Sequence, residues 1–251
     1  KAIFGYGYNA SGGGRLSMSN LVNSSGVVAA DVTGVGTARM TIAATSYGGD
    51  KAIFGYGDSG SATNLSNLVS SSGVIASDTT GVGTARYAPA AASYDGDKGI
   101  FGYGDTGGDS YVSLTNLVNN SGVIATDTTG VGTARRYLAA TGYGSSGQAV
   151  FAYGSTGSRL SMKNLVSNSG VVASDATGVG SARNNLAAVK YGTDKAIFGY
   201  GSTGSITGVT NLVSNVGVIA SDVSGVGTAR QYLAAASYGG DKALFGYGNT
   251  A

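Results

Sequence analysis

The carboxylates of this sequence are all aspartates, thirteen of them, and histidine and cysteine are absent. Those absences remove the usual general base near neutral pH, the usual zinc ligands, every Ser-His or Cys-His pair, and any disulfide or thiolate chemistry. What remains is arranged in phase. Asp31, Asp78, Asp127, Asp175 and Asp222 each stand shortly before Gly-Val-Gly, and Asp50, Asp97, Asp194 and Asp241 each stand before Lys. Carboxylates at regular spacing suit a hard cation such as calcium. No copy brings three acids into one short loop, however, and the same residues suit Asx turns at strand ends. The turn reading is taken, and no metal site is expected.

Arg39, Arg86, Arg135, Arg183 and Arg230 recur in phase as well. A ring of guanidinium groups could hold an anion, but a residue present in every copy is more simply one that each copy needs, here for hydrogen bonds between neighbouring units. A third pattern, Gly55-Tyr56-Gly57-Asp58-Ser59-Gly60, repeats from Gly102 and Gly199 and spells the dinucleotide fingerprint G-x-G-x-x-G. That chemistry needs a helix start behind the glycines to hold pyrophosphate, and an acid roughly 20 residues further on. Ser, Thr, Gly and another short apolar run follow instead, so no cofactor is expected.

These residues are positioned by a repeat. KAIFGYG opens at Lys1 and returns at Lys51, Lys98, Gln148, Lys195 and Lys242 with small changes, a period of 47 to 50 residues. Between those phrases, Asn20, Asn67, Asn116, Asn164 and Asn211 each precede the phased arginine by 19 residues. The apolar runs are short, β-branched or aromatic, and closed by Gly, Asn, Asp or Ser, which predicts strands. In the first copy these are Ile3 to Tyr6, Leu21 with Val22, Val27 with Val28, and Ile42 to Tyr47. Four strands in a period of roughly 40 to 50 residues predict the blade of a β-propeller.

The last copy, read as Arg230, Leu233 to Ala236, Tyr238 to Asp241, then Ala243 to Gly248, resembles the repeat of the kelch propellers. It departs from that pattern in having Gly-x-Gly for the paired glycines and no tryptophan. Repeat proteins of phage and marine bacterial origin are similar in the KAIFGYG and GVGTAR phrasing, and propellers of the regulator-of-chromosome-condensation type remain an alternative with a similar period. The resemblance implies one all-β domain over residues 1–251, a five-bladed β-propeller of four-stranded antiparallel blades, with strands a to d from the inside outward. Counted this way there are six b strands and five each of a, c and d. One b strand is surplus, either Lys1 to Gly7 or Ala243 to Gly248. It is expected to be displaced, exchanged with a neighbouring chain, or part of a larger ring of which this chain is an excerpt.

Net charge is only +2 without a run of Lys or Arg, which argues against nucleic acid as a partner, and no apolar stretch is long enough to insert in a membrane. Two segments vary between copies: the stretch after FGYG and the pair after each phased arginine. Both fall on the face formed by b-to-c and d-to-a loops, where kelch propellers commonly hold partners. By that resemblance the candidate binding residues are Met40, Thr41, Tyr87, Ala88, Arg136, Tyr137, Asn184, Asn185, Gln231 and Tyr232, with Tyr8, Asn9, Asp58 and Asp105. The expectation is a non-catalytic binding module, extracellular or on a virion or cell surface, recognising a glycan or a protein. The alternatives are a structural subunit that forms homo-oligomers by strand exchange and, less favoured, a lectin with several equivalent pockets.

Overall fold

The computed structural model describes residues 1–250. Among them there is no helix; sixteen strands form six small antiparallel sheets of two or three strands. Sheet 1 is β1 (Ala2–Asn9) with β2 (Gly14–Val22). Sheet 2 is β3 (Ala43–Tyr47), β4 (Lys51–Gly55) and β5 (Ser66–Val69). Sheet 3 is β6 (Ala90–Tyr94), β7 (Lys98–Asp105) and β8 (Tyr111–Val118). Sheet 4 is β9 (Ala139–Tyr143), β10 (Gln148–Ala152) and β11 (Lys163–Val166). Sheet 5 is β12 (Ala187–Tyr191), β13 (Lys195–Gly199) and β14 (Thr210–Val213), and sheet 6 is β15 (Ala234–Tyr238) with β16 (Lys242–Gly246). Each KAIFG-type segment is the second strand of its repeat and, in sheets 2 to 5, the middle one.

The expected fourth strand is not a strand. The segment after each third strand touches it at two isolated bridges, Val69↔Ile75 and Ser66↔Thr79 in sheet 2, and likewise Val118↔Ile124 and Thr115↔Thr128 in sheet 3. Between the bridges two residues on one side face three on the other, and one extra residue is enough to break a ladder. The phased asparagine spans the break. Asn67 Nδ2 donates to the Ala76 carbonyl at 3.0 Å, and Asn116 does the same to Ala125 at 3.0 Å. The polar residue read from sequence as a marker of the repeat is thus what satisfies the backbone where sheet pairing fails.

The count of five units is also corrected, because β15 pairs with β16 and not with β1. Neither KAIFGYG copy is surplus; each belongs to its own two-stranded sheet. A hairpin across Gly239, Gly240 and Asp241 closes a far shorter loop than pairing with the first strand of the chain would, at correspondingly lower entropic cost. Consecutive sheets then stack through one repeated contact, a Tyr ring against the Phe of the next sheet. The pairs are Tyr6–Phe54, Tyr56–Phe101, Tyr103–Phe151, Tyr153–Phe198 and Tyr200–Phe245, with centroids 5.2 to 5.4 Å apart, and Tyr247–Phe4 at 5.2 Å carries the series from sheet 6 back to sheet 1. Edge-on pairs of this kind add about 0.5–1.5 kcal/mol each beyond the area they bury.

The Gly-x-Gly that departs from the kelch pattern follows from this stacking. A Cβ on Gly55 would lie 2.8 Å from the Phe101 ring, and one on Gly102 at 2.8 Å from Phe151. The tyrosine of this motif, Tyr6, Tyr56, Tyr103, Tyr153 (here between Ala152 and Gly154), Tyr200 or Tyr247, has φ between 63° and 65°. An aromatic residue is strained there. Its ring is held in place by the neighbouring Phe and, in Tyr6, Tyr56, Tyr103, Tyr153 and Tyr200, by a hydroxyl that donates to a Gly-Val-Gly carbonyl, as Tyr103 does to Val131 at 3.1 Å. The buried apolar clusters lie between consecutive sheets, and the Ala-rich first strands β3, β6, β9, β12 and β15 line one shared cavity together with Lys1, Ala2 and Ile3.

Candidate functional site

The phased polar residues form a frame between sheets. Arg86 is fully buried, lies 3.9 Å over the Tyr56 ring, and donates to Asn116 Oδ1 of sheet 3 at 2.6 Å. Asn116 in turn donates to Asp127 at 2.9 Å, and Asp127 accepts from the Thr84 amide at 3.0 Å and hydroxyl at 2.6 Å. Arg135 repeats this with Asn164, Asp175 and Thr133. Arg39 reaches Asn67 with Thr37 on Asp78, and Ser181 stands for threonine at Asp222. Arg39, Arg86, Arg135 and Arg183 are each wholly buried; Arg230 is half-buried and its guanidinium lies 5.7 Å from the Tyr200 ring.

This corrects the turn reading for the aspartates ahead of Gly-Val-Gly: Asp78, Asp127, Asp175 and Asp222 accept hydrogen bonds from a threonine or serine of the preceding inter-sheet segment. Asp50, Asp97, Asp194 and Asp241 do lie in turns between first and second strands, and the Asp97, Asp194 and Asp241 main-chain carbonyls receive the Gly48, Gly144 and Gly192 amides at 2.6 to 2.7 Å. Burial acts to raise the Asp127 carboxyl, but the bonds from Thr84 and Asn116 and the Arg86 charge outweigh it and hold the pKa below the usual value. Arg86, Arg135 and Arg183 are pushed down by burial, the tyrosine beneath each opposing it. Among the described residues, no three acids gather that could hold a metal ion.

The varying residues come together at one end of the sheets. Met40, Tyr87, Arg136, Asn184 and Gln231 each form an isolated bridge with the residue that follows a Gly-Tyr-Gly, or Ala-Tyr-Gly in the fourth copy: Asp58, Asp105, Ser155, Ser202 and Asn249. The d-to-a and b-to-c loops therefore share a face, as the repeat order required. Behind them Thr41, Ala88, Tyr137, Asn185 and Tyr232 all have φ between 48° and 56°. Their amides chain the face together: Ala88 N donates to Thr41 O at 2.9 Å, Tyr137 N to Ala88 O at 3.2 Å, Asn185 N to Tyr137 O at 3.1 Å, and Tyr232 N to Asn185 O at 2.9 Å.

Two groups stand out on this face. Tyr137 and Tyr232 meet edge-on with centroids 6.1 Å apart, and Tyr232 is 55 % exposed. Beside them Arg136 donates to Asp105 at 2.6 Å and to the Tyr87 hydroxyl at 3.3 Å, and pairs with Asp109 at 2.8 Å. Burial and then the Asp105 hydrogen bond push the Tyr87 hydroxyl pKa up. Asp58 and Asp105 also accept the amides of Gly60 and Gly107, at 2.7 Å each, as Asx turns. Of the candidates, Ala88 and Asp105 are buried and offer no surface to a partner; Tyr8 and Asn9 are exposed, and Met40, Thr41, Asp58, Tyr87, Arg136, Asn184, Asn185 and Gln231 are half-buried.

Arg15, Asp109 and Tyr111 were not among the candidates. Arg15 donates to the Asp58 carboxylate at 3.1 Å, and the Arg136 guanidinium lies 5.2 Å from the Tyr111 ring. Their signal was length: Phe4 to Asn20 and Phe101 to Asn116 span 16 and 15 residues against 13 in the other copies. The extra residues extend β1–β2 to Asn9↔Gly14 and β7–β8 to Asp105↔Tyr111. No protein-family model and no curated protein matches the chain.

Proposed function

We propose that the six sheets are the blade positions of a β-propeller, and that the chain is a non-catalytic binding module taking a glycan or protein partner on the loop face. One observation carries the reading. The polar residues that recur in phase are engaged in holding sheet to sheet, whereas those that differ between copies, Tyr87, Arg136, Tyr137, Asn185 and Tyr232, converge on one face. Rigid units that pool unlike loop residues at one end are the arrangement by which propellers build a single composite site. Exposed Tyr232 and its partner Tyr137 offer a stacking edge, and Arg136 with Asp109 offers charge of both signs, the residue types that anchor interfaces. An extracellular, virion or cell-surface setting accords with a chain free of cysteine and without a basic patch. Equivalent pockets in every copy are disfavoured because no varied position carries the same residue in all copies; at the second place after the phased arginine only Tyr137 and Tyr232 coincide.

The test is a glycan array and a cell-surface protein panel probed with the chain and with a Tyr137→Ala, Tyr232→Ala double variant. Any specific ligand should be lost, or weakened at least about tenfold, by the double variant. A ligand bound equally by both places the site elsewhere.

A further inference from the structure

Two arginines of the loop face stand in one phase of the repeat and have unlike partners. Arg15 and Arg159 each lie five residues before the phased asparagine, Asn20 or Asn164. Each reaches across to the residue that follows Gly-Tyr-Gly in the next sheet, Asp58 for Arg15 and Ser202 for Arg159. The first pair is complete. Arg15 Nη2 donates to both Asp58 carboxylate oxygens at 3.1 Å and its Nε to the Asp58 carbonyl at 3.1 Å, while the same carboxylate receives the Gly60 amide at 2.7 Å.

The second pair keeps the donors and lacks the carboxylate. Ser202 offers a single hydroxyl oxygen, which receives Arg159 Nη2 at 3.4 Å and the Gly204 amide at 3.3 Å, both at the weak end of the hydrogen-bond range. Among the described residues Arg159 enters no ion pair. Ser202 is 6 % exposed and Arg159 is exposed, so the hydroxyl forms the floor of the place and the guanidinium its open wall. A Cβ on Gly204 would meet only Arg159 Nη1, at 3.9 Å, which leaves the space above the turn free. A guanidinium, an amide and a hydroxyl thus converge where sheet 2 holds a carboxylate.

We propose that this place takes the carboxylate of an acidic saccharide, such as a uronic acid residue. The inference rests on the glycan form of the loop-face reading and names the ligand class. A carboxylate is selected because the chain itself sets one on the equivalent Arg15, and a guanidinium holds two charged oxygens better than one neutral hydroxyl. A sugar is selected as its carrier by the groups at the border. Asn184 bridges to Ser202 through the main chain, its amide oxygen receives Asn185 Nδ2 at 3.3 Å, and the same Nδ2 reaches Gln231 Oε1 at 3.5 Å. Bonds this long exchange for sugar hydroxyls at little cost. The Asn185 main chain is bonded to Tyr137 on one side and Tyr232 on the other, and their rings supply the stacking edge. Arg136 is committed to Asp105 and Asp109, so Arg159 is the arginine left for a ligand's charge at this border.

The test is an amide NMR titration of the whole chain, at constant ionic strength, with sodium glucuronate, with glucose, and with an acetylated, amidated aspartate as peptide mimic. Glucuronate should shift the Ser202 and Gly204 amides saturably, glucose should leave them unmoved, and the peptide mimic should bind more weakly than glucuronate. Arg159→Gln and Ser202→Asp should each weaken glucuronate at least about tenfold, the second because it rebuilds the Arg15–Asp58 pair within the chain. Asp58→Ser should create a second site, read as saturable shifts at Gly60. Both exchanges should fold, since Ser155 and Ser202, and Asp58 and Asp105, already occupy this place in other sheets. Absence of saturable shifts, equal shifts with glucose, tighter binding of the peptide mimic, unchanged binding in Ser202→Asp, or no second site in Asp58→Ser would each overturn the proposal. A glycan that needs Tyr137 and Tyr232 but ignores Arg159 would sink the carboxylate site alone, whereas one that ignores the two tyrosines would sink the loop-face reading.

Discussion

Arg86 and Tyr56 form the joint on which the frame turns: a fully buried guanidinium 3.9 Å over a fully buried ring that is itself held at φ 63°. The arginine satisfies an amide in the next sheet and the tyrosine packs on the next sheet's Phe101, so one joint couples the strained backbone of one sheet to two residues of its neighbour.

Replacing Arg86 by alanine should cost about 1–3 kcal/mol, since it leaves Asn116 Oδ1 buried without a donor, and Arg86→Lys should recover only part because an ammonium cannot cover the ring and reach the amide in the same geometry. Arg230→Ala should cost much less, because Arg230 is half-buried and its bonds go only to the Thr228 and Tyr247 carbonyls. Denaturant midpoints of the three variants measure the contrast. Equal losses at Arg86 and Arg230 would contradict the assignment.

Gly55→Ala should destabilise by about 1–3 kcal/mol through overpacking, as its Cβ would come 2.8 Å from Phe101. Ala152 stands at the equivalent place in sheet 4, where the Tyr153–Phe198 pair is the widest of the series at 5.4 Å. A double variant Gly55→Ala, Phe101→Leu should regain part of the loss, and thermal melts of the single and double variants check it.

The pKa depression of Asp127 gives a direction in pH. Its folded value lies below the ordinary carboxylate value because Thr84, Asn116 and Arg86 favour the charged form against burial. The contribution is therefore fully present above the unfolded-state pKa, near pH 4, and is lost as pH falls through the depressed folded value. Asp127→Asn should lower stability at neutral pH, and the gap to the parent chain should narrow below about pH 4. A gap that stays constant from pH 7 to pH 3 would show that the carboxylate charge is not what the frame uses.

Much of this was legible in the sequence because the repeat places each residue type in one environment. The phased arginines were recognised as bonds between units, and the a-to-b hairpins were readable from Tyr-Gly-x-Asp between apolar runs. The aspartates ahead of Gly-Val-Gly were misread because an Asx turn and an acceptor for the threonine of the preceding inter-sheet segment leave the same letter at the same place. Strand counting failed at the ends because Lys1 to Gly7 and Lys242 to Gly248 differ only at Ile3 and Leu244, so composition cannot say which of the two β15 joins. The varied loops were placed on one face correctly, but which of them are buried was hidden: Asp105 reads as a surface acid and is enclosed by Arg136 and Tyr87.

The pairing of the sixth sheet with the first is tested most directly by nuclear Overhauser contacts between assigned aromatic rings in the full chain. Cross-peaks between Phe4 and Tyr247, whose centroids are 5.2 Å apart, and between Phe245 and Tyr200, at 5.3 Å, are predicted. A cross-peak between Phe4 and Tyr200, with none from Phe4 to Tyr247, would mean that sheet 5 abuts sheet 1 and that β15 belongs to β1, and would contradict the six-sheet arrangement.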